Sequence, residues 1–467
     1  MEHDSSKASV LNALADVGGQ DDFVVVGEGI GRFRRNLTLA SLGAMLEYYD
    51  FVVYVYLATK IGASFFPAGL SSGLRLAQTF GIYSIGFVIR PLAGLVIAHY
   101  ADRFGRKRFF IFTVTLMSGS TLSIGLLPTY ASIGWCAPLL LLLLRVLQGC
   151  AVGGELPSAA VFVSEHARSG RLGLAGGVLQ SMAYGGFLLG AAAAMLADFI
   201  AVVVPDFPSL SWRVPFLIGG VFGLMSGYLR RSLEESPLFV EVRNRTEITC
   251  TTPTRTVLRK HGKSCLFGFL AIFAMTVTNV IYFQYWPSLL ETQMHIEHAY
   301  ALSASLSAVL SIMISLPLWG LLYDRFGWAK TMRVGALLAA ITSGWLFSNL
   351  WVFAGDPQAL IWSIVPVSIA SGAVVAPIPG LLSSMFPTAI RQTGYALAYN
   401  VGVAVFGGPL PLLLVWSTTN YGLAAPLCIL LLSYLVLACL TYALRNLIVY
   451  LGHDSKIESS PKIIAGR

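Results

Sequence analysis

The chain has 467 residues, is 56% hydrophobic and only 12% charged, and has a mean hydropathy of +0.72. Soluble domains carry about twice that share of charge, so the composition argues against a water-soluble enzyme and for a lipid-embedded protein. The net charge of +8 sits in short basic runs between apolar stretches, which is a topological pattern, and no nucleic-acid partner is expected.

Residues 1–35 contain Glu2, Asp4, Asp16, Asp21 and Asp22 before any long apolar run. A cleaved signal peptide begins basic and turns apolar quickly, so 1–35 reads as a retained polar tail. Apolar segments follow near 36–62, 74–100, 108–128, 137–165, 172–200 and 213–230, predicting an amino-terminal six-helix bundle over 36–230. A polar linker occupies 231–263. A second set lies near 264–290, 300–323, 331–354, 358–386, 392–417 and 422–445, predicting a carboxy-terminal bundle over 264–445 and a tail over 446–467. A span takes about 20 apolar residues, so the length suits twelve transmembrane helices and leaves no room for a large soluble domain. The fold class expected is an all-α membrane protein. Six cysteines without ligand spacing read as free thiols.

Basic residues alternate along the loops. Arg32, Arg34 and Arg35 precede the first segment, Arg103, Arg106, Lys107 and Arg108 follow the second, and Arg168 and Arg171 follow the fourth. The linker holds Arg230, Arg231, Arg243, Arg245, Arg255, Arg259, Lys260 and Lys263. Arg325, Lys330 and Arg333 come after the eighth segment, Arg391 after the tenth and Arg445 at the end. Basic loops stay cytoplasmic, so both termini and the linker are expected on the cytoplasmic side of the cell membrane.

The halves share a motif. Asp102-Arg103-Phe104-Gly105 after the second segment recurs as Asp324-Arg325-Phe326-Gly327 after the eighth, 222 residues later. A weaker echo pairs Arg171 and Gln180 with Arg391 and Asn400. Parallel half-repeats place a binding site at their interface near the bilayer midplane.

Several stretches carry a family resemblance. They are Gly43-Ala-Met-Leu-Glu47-Tyr-Tyr-Asp50-Phe51, Phe87-Val-Ile-Arg90-Pro91, Asp102-Arg103-Phe-Gly105-Arg106-Lys107 and Arg145-x-x-Gln148-Gly149, continuing to Gly153-Gly154-Glu155. Trp212-Arg213-Val-Pro215-Phe216, Leu233-Glu234-Glu235-Ser-Pro237-Leu-Phe239 and Phe386-Pro387-Thr-Ala-Ile-Arg391 extend the match, with Ala398-Tyr399-Asn400 and Phe406-Gly407-Gly408 beyond them. Together they resemble the major facilitator superfamily and, more closely, its metabolite:proton symporters, which carry citrate, 2-oxoglutarate, shikimate, proline or betaine. The chain departs from that pattern at Ala44, at Ala98 and at Trp328-Ala329 in the second motif copy. The resemblance implies proton-coupled uptake of a small organic acid such as a di- or tricarboxylate, acting as a monomer by alternating access. A betaine or proline symporter, a drug-efflux antiporter and a sensor that binds without flux are the alternatives. No nucleotide-binding loop, catalytic triad or metal-ligand spacing occurs, so no enzyme activity, cofactor or metal is expected.

The chemistry-bearing residues concentrate in the first half. Glu47 and Asp50 are three apart and Tyr54 four further on, so all three share a helix face. Ionised carboxylates in hydrocarbon must pair, face a cavity or bind protons. Glu47, Asp50 and Glu155 are therefore the expected proton-coupling residues, against the alternative of structural hydrogen bonding. Arg90 lies about 18 Å along the helix from Asp102 at 1.5 Å per residue. It reads as a substrate-carboxylate clamp or as an internal partner of Glu47 or Asp50. Arg145, Tyr54 and Gln148, with Gln180, Asn279, Tyr282 and Asn400, complete the predicted substrate-binding set, against a packing role for each. Asp102, Arg103, Gly105, Arg106, Glu165, Asp324 and Arg325 are the predicted cytoplasmic gate, with Asp102–Arg106 and Asp324–Arg325 ion pairs as its latches.

Overall fold

The computed structural model describes residues 30–168, 170–236, 239–240 and 252–443. The tail before residue 30, the linker around Arg243, Arg245 and Cys250, and the tail with Arg445 lie outside the described residues.

Among the described residues the fold is all-helical, with no strand. The long helices are α1 (Ile30–Tyr56), α2 (Ser72–Phe104), α3 (Arg106–Leu126), α4 (Cys136–His166), α5 (Leu172–Val203) and α6 (Pro208–Leu229). They continue as α7 (Gly262–Met294), α8 (His298–Phe326), α9 (Trp328–Ala354), α10 (Gln358–Ser384), α11 (Thr388–Tyr421) and α12 (Ala424–Ala443). Among the described residues, eleven helices are long and apolar enough to cross a membrane. The remaining one, α1, holds Arg32, Arg34, Arg35, Glu47 and Asp50 in its 27 residues and falls short on apolarity. The predicted first segment ran unbroken to Gly62; the structure instead ends α1 at Tyr56 and starts a short helix at Ala58–Phe65. The linker, read as a polar connection, contains a helix at Pro253–Lys260 whose Val257 is buried.

Helices α1–α6 pack on one another, as do α7–α12, and the two groups meet along α5–α8, α2–α11 and α4–α11. Small residues set how closely the helices approach. A Cβ on Gly177 of α5 would sit 2.5 Å from the Leu316 carbonyl oxygen of α8. A Cβ on Gly153 of α4 would sit 2.5 Å from the Arg90 carbonyl oxygen of α2, so this glycine brings α4 against the helix that carries Arg90.

The repeated motif does the same work twice. Gly105 (φ +111°) and Gly327 (φ +82°) end α2 and α8 and turn the chain directly into α3 and α9. Only glycine adopts such φ without strain. Both turns lie on one end of the molecule, here termed the motif face. In α7 and α11 the hydrogen-bond ladder widens to i→i+5 over Val280–Tyr285 and Val403–Gly407. Pro287 and Pro409, each lacking an N–H, follow these stretches and cannot continue the regular ladder.

Candidate functional site

A cavity of about 160 Å³ lies between the two helix groups. It runs from Glu47 and Arg90 toward Val55, Tyr56 and Pro287, away from the motif face. Its wall is aromatic, including Tyr48, Phe51, Tyr83, Phe87, Phe283 and Tyr399. Glu47 and Arg90 are its only charged lining residues among the described residues. Arg90 Nη2 donates to Glu47 Oε1 at 2.8 Å, with the two side chains 4% and 1% exposed. Arg90 Nε donates to Asn400 Oδ1 at 3.0 Å, and its guanidinium carbon lies 5.6 Å from the centre of the Tyr399 ring. Asn400 in turn donates to the Gly153 carbonyl at 2.7 Å. Arg90 is thus held by both halves, while Glu47 Oε2 has no hydrogen-bond partner and remains available to a proton or a ligand donor.

Asp50 belongs to a different compartment. Three helical residues advance about 300°, leaving it some 60° from Glu47 around the axis. That offset turns Asp50 into the first half, so the predicted shared site of Glu47, Asp50 and Tyr54 is two sites. Asp50 Oδ2 accepts from Thr121 Oγ1 at 2.5 Å, and Gln148 Nε2 donates to that hydroxyl at 2.7 Å. A small void of about 20 Å³ joins Asp50, Arg145, Gln148 and Tyr83. That volume accommodates about one water. Among the described residues, no carboxylate lies within ion-pair distance of Arg145. Its guanidinium lies 3.5 Å over the Tyr54 ring, and its Nε and Nη2 are buried without hydrogen-bond partners. Tyr54 lines neither cavity and donates to the Thr79 carbonyl at 3.1 Å, so its part in the site is to carry Arg145.

Other predicted residues separate in the same way. Asn279 lines the cavity between the two helix groups and accepts from Tyr184 Oη at 2.6 Å. Gln180 sits one layer behind it against Met275 Sδ at 4.0 Å. Tyr282 points away from the cavity and donates to Ser343 Oγ at 2.7 Å inside the second half, because the widened ladder turns Phe283 and Gln284 inward instead. Glu155 lines neither cavity. It pairs with Arg230 at 2.7 Å, a residue whose place among the linker's basic run made it look like a topology charge.

The motif face is closed by contacts between the halves. Asp102 accepts from the backbone N–H of Gln392 (3.3 Å) and Thr393 (2.8 Å), in the first turn of the regular helix of α11. Asp324 accepts from the N–H of Gly173 (2.5 Å) and Leu174 (2.9 Å), in the first turn of α5. Each motif carboxylate therefore caps a helix N-terminus of the other half, where the helix dipole favours negative charge. The predicted Asp102–Arg106 pair exists at 3.3 Å but lies within one half. The predicted Asp324–Arg325 latch does not form: Asp324 is engaged by α5, and Arg325 lies over the Phe326 ring. Arg103 likewise lies over Phe104. Glu165 is the centre of the closure, shared by Arg106 of its own half, Arg391 of the other half and the Ser236 hydroxyl. Gly105 brings the next residues within reach of Glu235, which accepts from the N–H of Arg106 (3.1 Å) and Lys107 (3.2 Å).

Glu165→Gln removes the charge that both guanidinium groups share. The expected result is about a tenfold rise in the ratio of open to closed motif face, equivalent to about 1.4 kcal/mol. Spin-label distances between the motif-face ends of α4 and α10 read it directly, and an unchanged distribution would remove Glu165 from the closure.

A buried, aromatic cavity between two helix groups, with interlocking contacts sealing one end, defines a helical membrane transporter. Residues 37–346 match the Major Facilitator Superfamily. The chain is 34% identical over 400 residues to a putative proline/betaine transporter of Staphylococcus aureus (strain COL), covering 83% of each chain. It is 33% identical over 396 residues to a proline/betaine transporter of Salmonella typhimurium (strain LT2), covering 83% of this chain and 78% of the relative. Its fold is similar to that of the proton:xylose symporter XylE bound to 6-bromo-6-deoxy-D-glucose, with a TM-score of 0.72 at 18% identity over 88% of this chain and 96% of that one. It also resembles FucP in the outward conformation, with a TM-score of 0.66 at 13% identity over 89% and 98% of the two chains. The chain belongs to the major facilitator superfamily, in one family with the relatives just named, and is a multi-pass membrane transporter.

Proposed function

We propose that the protein is a proton-coupled symporter of a compact zwitterionic carboxylate of the proline or betaine kind. The observation that carries this is the cavity's charge: one carboxylate, Glu47, and one guanidinium, Arg90, already paired, within an aromatic wall. Arg90 offers a donor fork to a carboxylate. Aromatic faces attract a quaternary or secondary ammonium through their π-electrons, and Glu47 Oε2 is a counter-charge beside them. A di- or tricarboxylate, the first reading from the sequence, needs more cationic groups than this cavity presents, since Arg145 faces a separate void. The relatives at 33–34% identity carry the proline/betaine name, which favours the same choice. The cavity of about 160 Å³ also suits a small metabolite better than a drug-sized amphiphile, whose sites run to roughly 300–1,000 Å³.

In the proposed cycle the substrate carboxylate engages Arg90 as protonation of Glu47 or Asp50 releases it from its internal partner. The two halves then rock about the midplane site, and the Asp102, Asp324 and Glu165 contacts break as the motif face opens. On this reading α1 is a twelfth span and its carboxylates face the protein interior, the placement that makes them tolerable in a membrane. Residues 36–230 and 264–445 then act as two bundles joined by a cytoplasmic linker, with both termini in the cytoplasm, in a monomer of the cytoplasmic membrane.

The test is uptake of labelled betaine, proline and citrate into proteoliposomes with an imposed pH gradient and a protonophore control. Betaine or proline should accumulate and the protonophore should abolish it. Accumulation of citrate alone would restore the organic-acid reading, and saturable binding without flux would make the protein a sensor.

A further inference from the structure

One buried ion pair in the first half lines neither cavity and takes no part in the motif-face closure. Arg230, the residue following α6, is fully buried. Its Nε donates to the Leu39 carbonyl at 3.1 Å and its Nη2 to the Ala40 carbonyl at 2.9 Å, both on α1. Nη1 donates to the Phe110 carbonyl of α3 at 3.2 Å and lies 2.7 Å from Glu155 Oε1 of α4. The guanidinium carbon sits 3.7 Å above the Phe110 ring. Glu155 Oε2 accepts from Thr113 Oγ1 at 2.7 Å. The pair rests against Gly43, where a Cβ would collide with both Arg230 and Glu155.

Four helices therefore converge on one charge pair, and the pair grips the backbone of α1. Leu39 and Ala40 lie eight and seven residues before Glu47, about 10–12 Å along the axis. Buried ion pairs are poor stabilisers compared with apolar packing, and their best-attested use is to fix register. Two contacts further along α1 depend on its register. Glu47 faces Arg90 of α2 at 2.8 Å, with Tyr399 of α11 over that guanidinium. Asp50 faces Thr121 of α3 at 2.5 Å and shares its void with Arg145 and Gln148 of α4. A slide or rotation of α1 by an ångström disturbs both.

We propose that Arg230 and Glu155 are positioning residues for proton coupling: by holding the Leu39 and Ala40 carbonyls against Gly43, they set the axial position and rotation of α1 on which the Glu47–Arg90 and Asp50–Thr121 contacts depend. This rests on the reading of Glu47 and Asp50 as the coupling carboxylates. It takes Glu155 out of the proton path and gives it a mechanical task.

The test replaces the pair by apolar residues of similar volume, Arg230→Met with Glu155→Leu, which leaves no unpaired charge. In proteoliposomes the double variant should lose about ten- to a hundredfold in pH-driven betaine accumulation, with a displaced pH profile, while betaine exchange without a pH gradient falls far less. A folded double variant with the parent's pH profile and accumulation overturns the proposal. Should the double variant fail to fold, Gly43→Ala presses a methyl group against the intact pair, and an unaltered pH profile there overturns the proposal equally. Glu47→Gln and Asp50→Asn serve as controls. If both keep coupled uptake, the assignment of the coupling carboxylates fails; if they lose it and the Arg230/Glu155 variant does not, only the positioning role fails.

Discussion

Arg90→Gln is expected to reduce substrate binding and uptake by at least about a hundredfold, a loss of roughly 2.7 kcal/mol of binding at the site. The substitution removes the only guanidinium that lines the cavity between the two helix groups among the described residues. It also leaves Glu47 buried at 1% exposure without its 2.8 Å partner. Removing one member of a buried pair costs about 3–5 kcal/mol because the remaining charge is uncompensated. The variant should therefore also melt at a lower temperature. These two losses separate in the double variant Glu47→Gln with Arg90→Gln. It restores a neutral, hydrogen-bonding pair and should regain most of the thermal stability while staying inactive. Equilibrium binding of betaine with melting curves of the purified protein measures both. Unchanged affinity in Arg90→Gln would show that the substrate carboxylate is held elsewhere.

Asp50→Asn is expected to separate transport from the proton gradient. Asparagine keeps an oxygen that can accept from Thr121 at the present 2.5 Å position and preserves side-chain volume, so folding should survive. What is lost is the carboxylate that shares a void with Arg145. Accumulation driven by an imposed pH gradient should fall to simple equilibration, while exchange of labelled for unlabelled substrate continues. If the variant still concentrates substrate, the proton resides on another group, and Glu47, with its unpartnered Oε2, becomes the candidate.

The parts of this molecule that were legible in its sequence are those that the bilayer dictates. Apolar runs long enough to span, basic loops between them and a duplicated Asp-Arg-Phe-Gly turn follow from lipid solvation and charge asymmetry. Glu47 and Arg90 were recognisable because charges inside an apolar segment demand an explanation, and their mutual pairing was one of the alternatives their positions allowed. What stayed hidden depends on partners without a sequence signature. The donors that hold Asp102 and Asp324 are backbone N–H groups at helix starts, which any residue supplies. Thr121, which holds Asp50, is one of many hydroxyls on apolar helices. Arg230 was hidden by its neighbours, since a basic residue at a span end is ordinarily a topology signal. The separation of Glu47 from Asp50 followed from a 60° difference in helix phase, too fine for a shared-face argument to resolve.

The arrangement of buried charges also has an electrical consequence. Away from the motif face, Glu47, Asp50 and Glu155 are matched in number by Arg90, Arg145 and Arg230, and at the motif face Asp102 and Glu165 are matched by Arg106 and Arg391. In the proposed cycle the empty carrier therefore reorients with no net charge in its interior, and the membrane potential neither helps nor hinders that step. Adding a zwitterion leaves the balance unchanged, and adding one proton makes the loaded form singly positive. Each elementary charge gains about 2.3 kcal/mol per 100 mV of potential. An interior-negative membrane would then draw the loaded carrier inward and leave the return step indifferent to voltage, so uptake currents should be inward, substrate-dependent and absent from the unloaded protein.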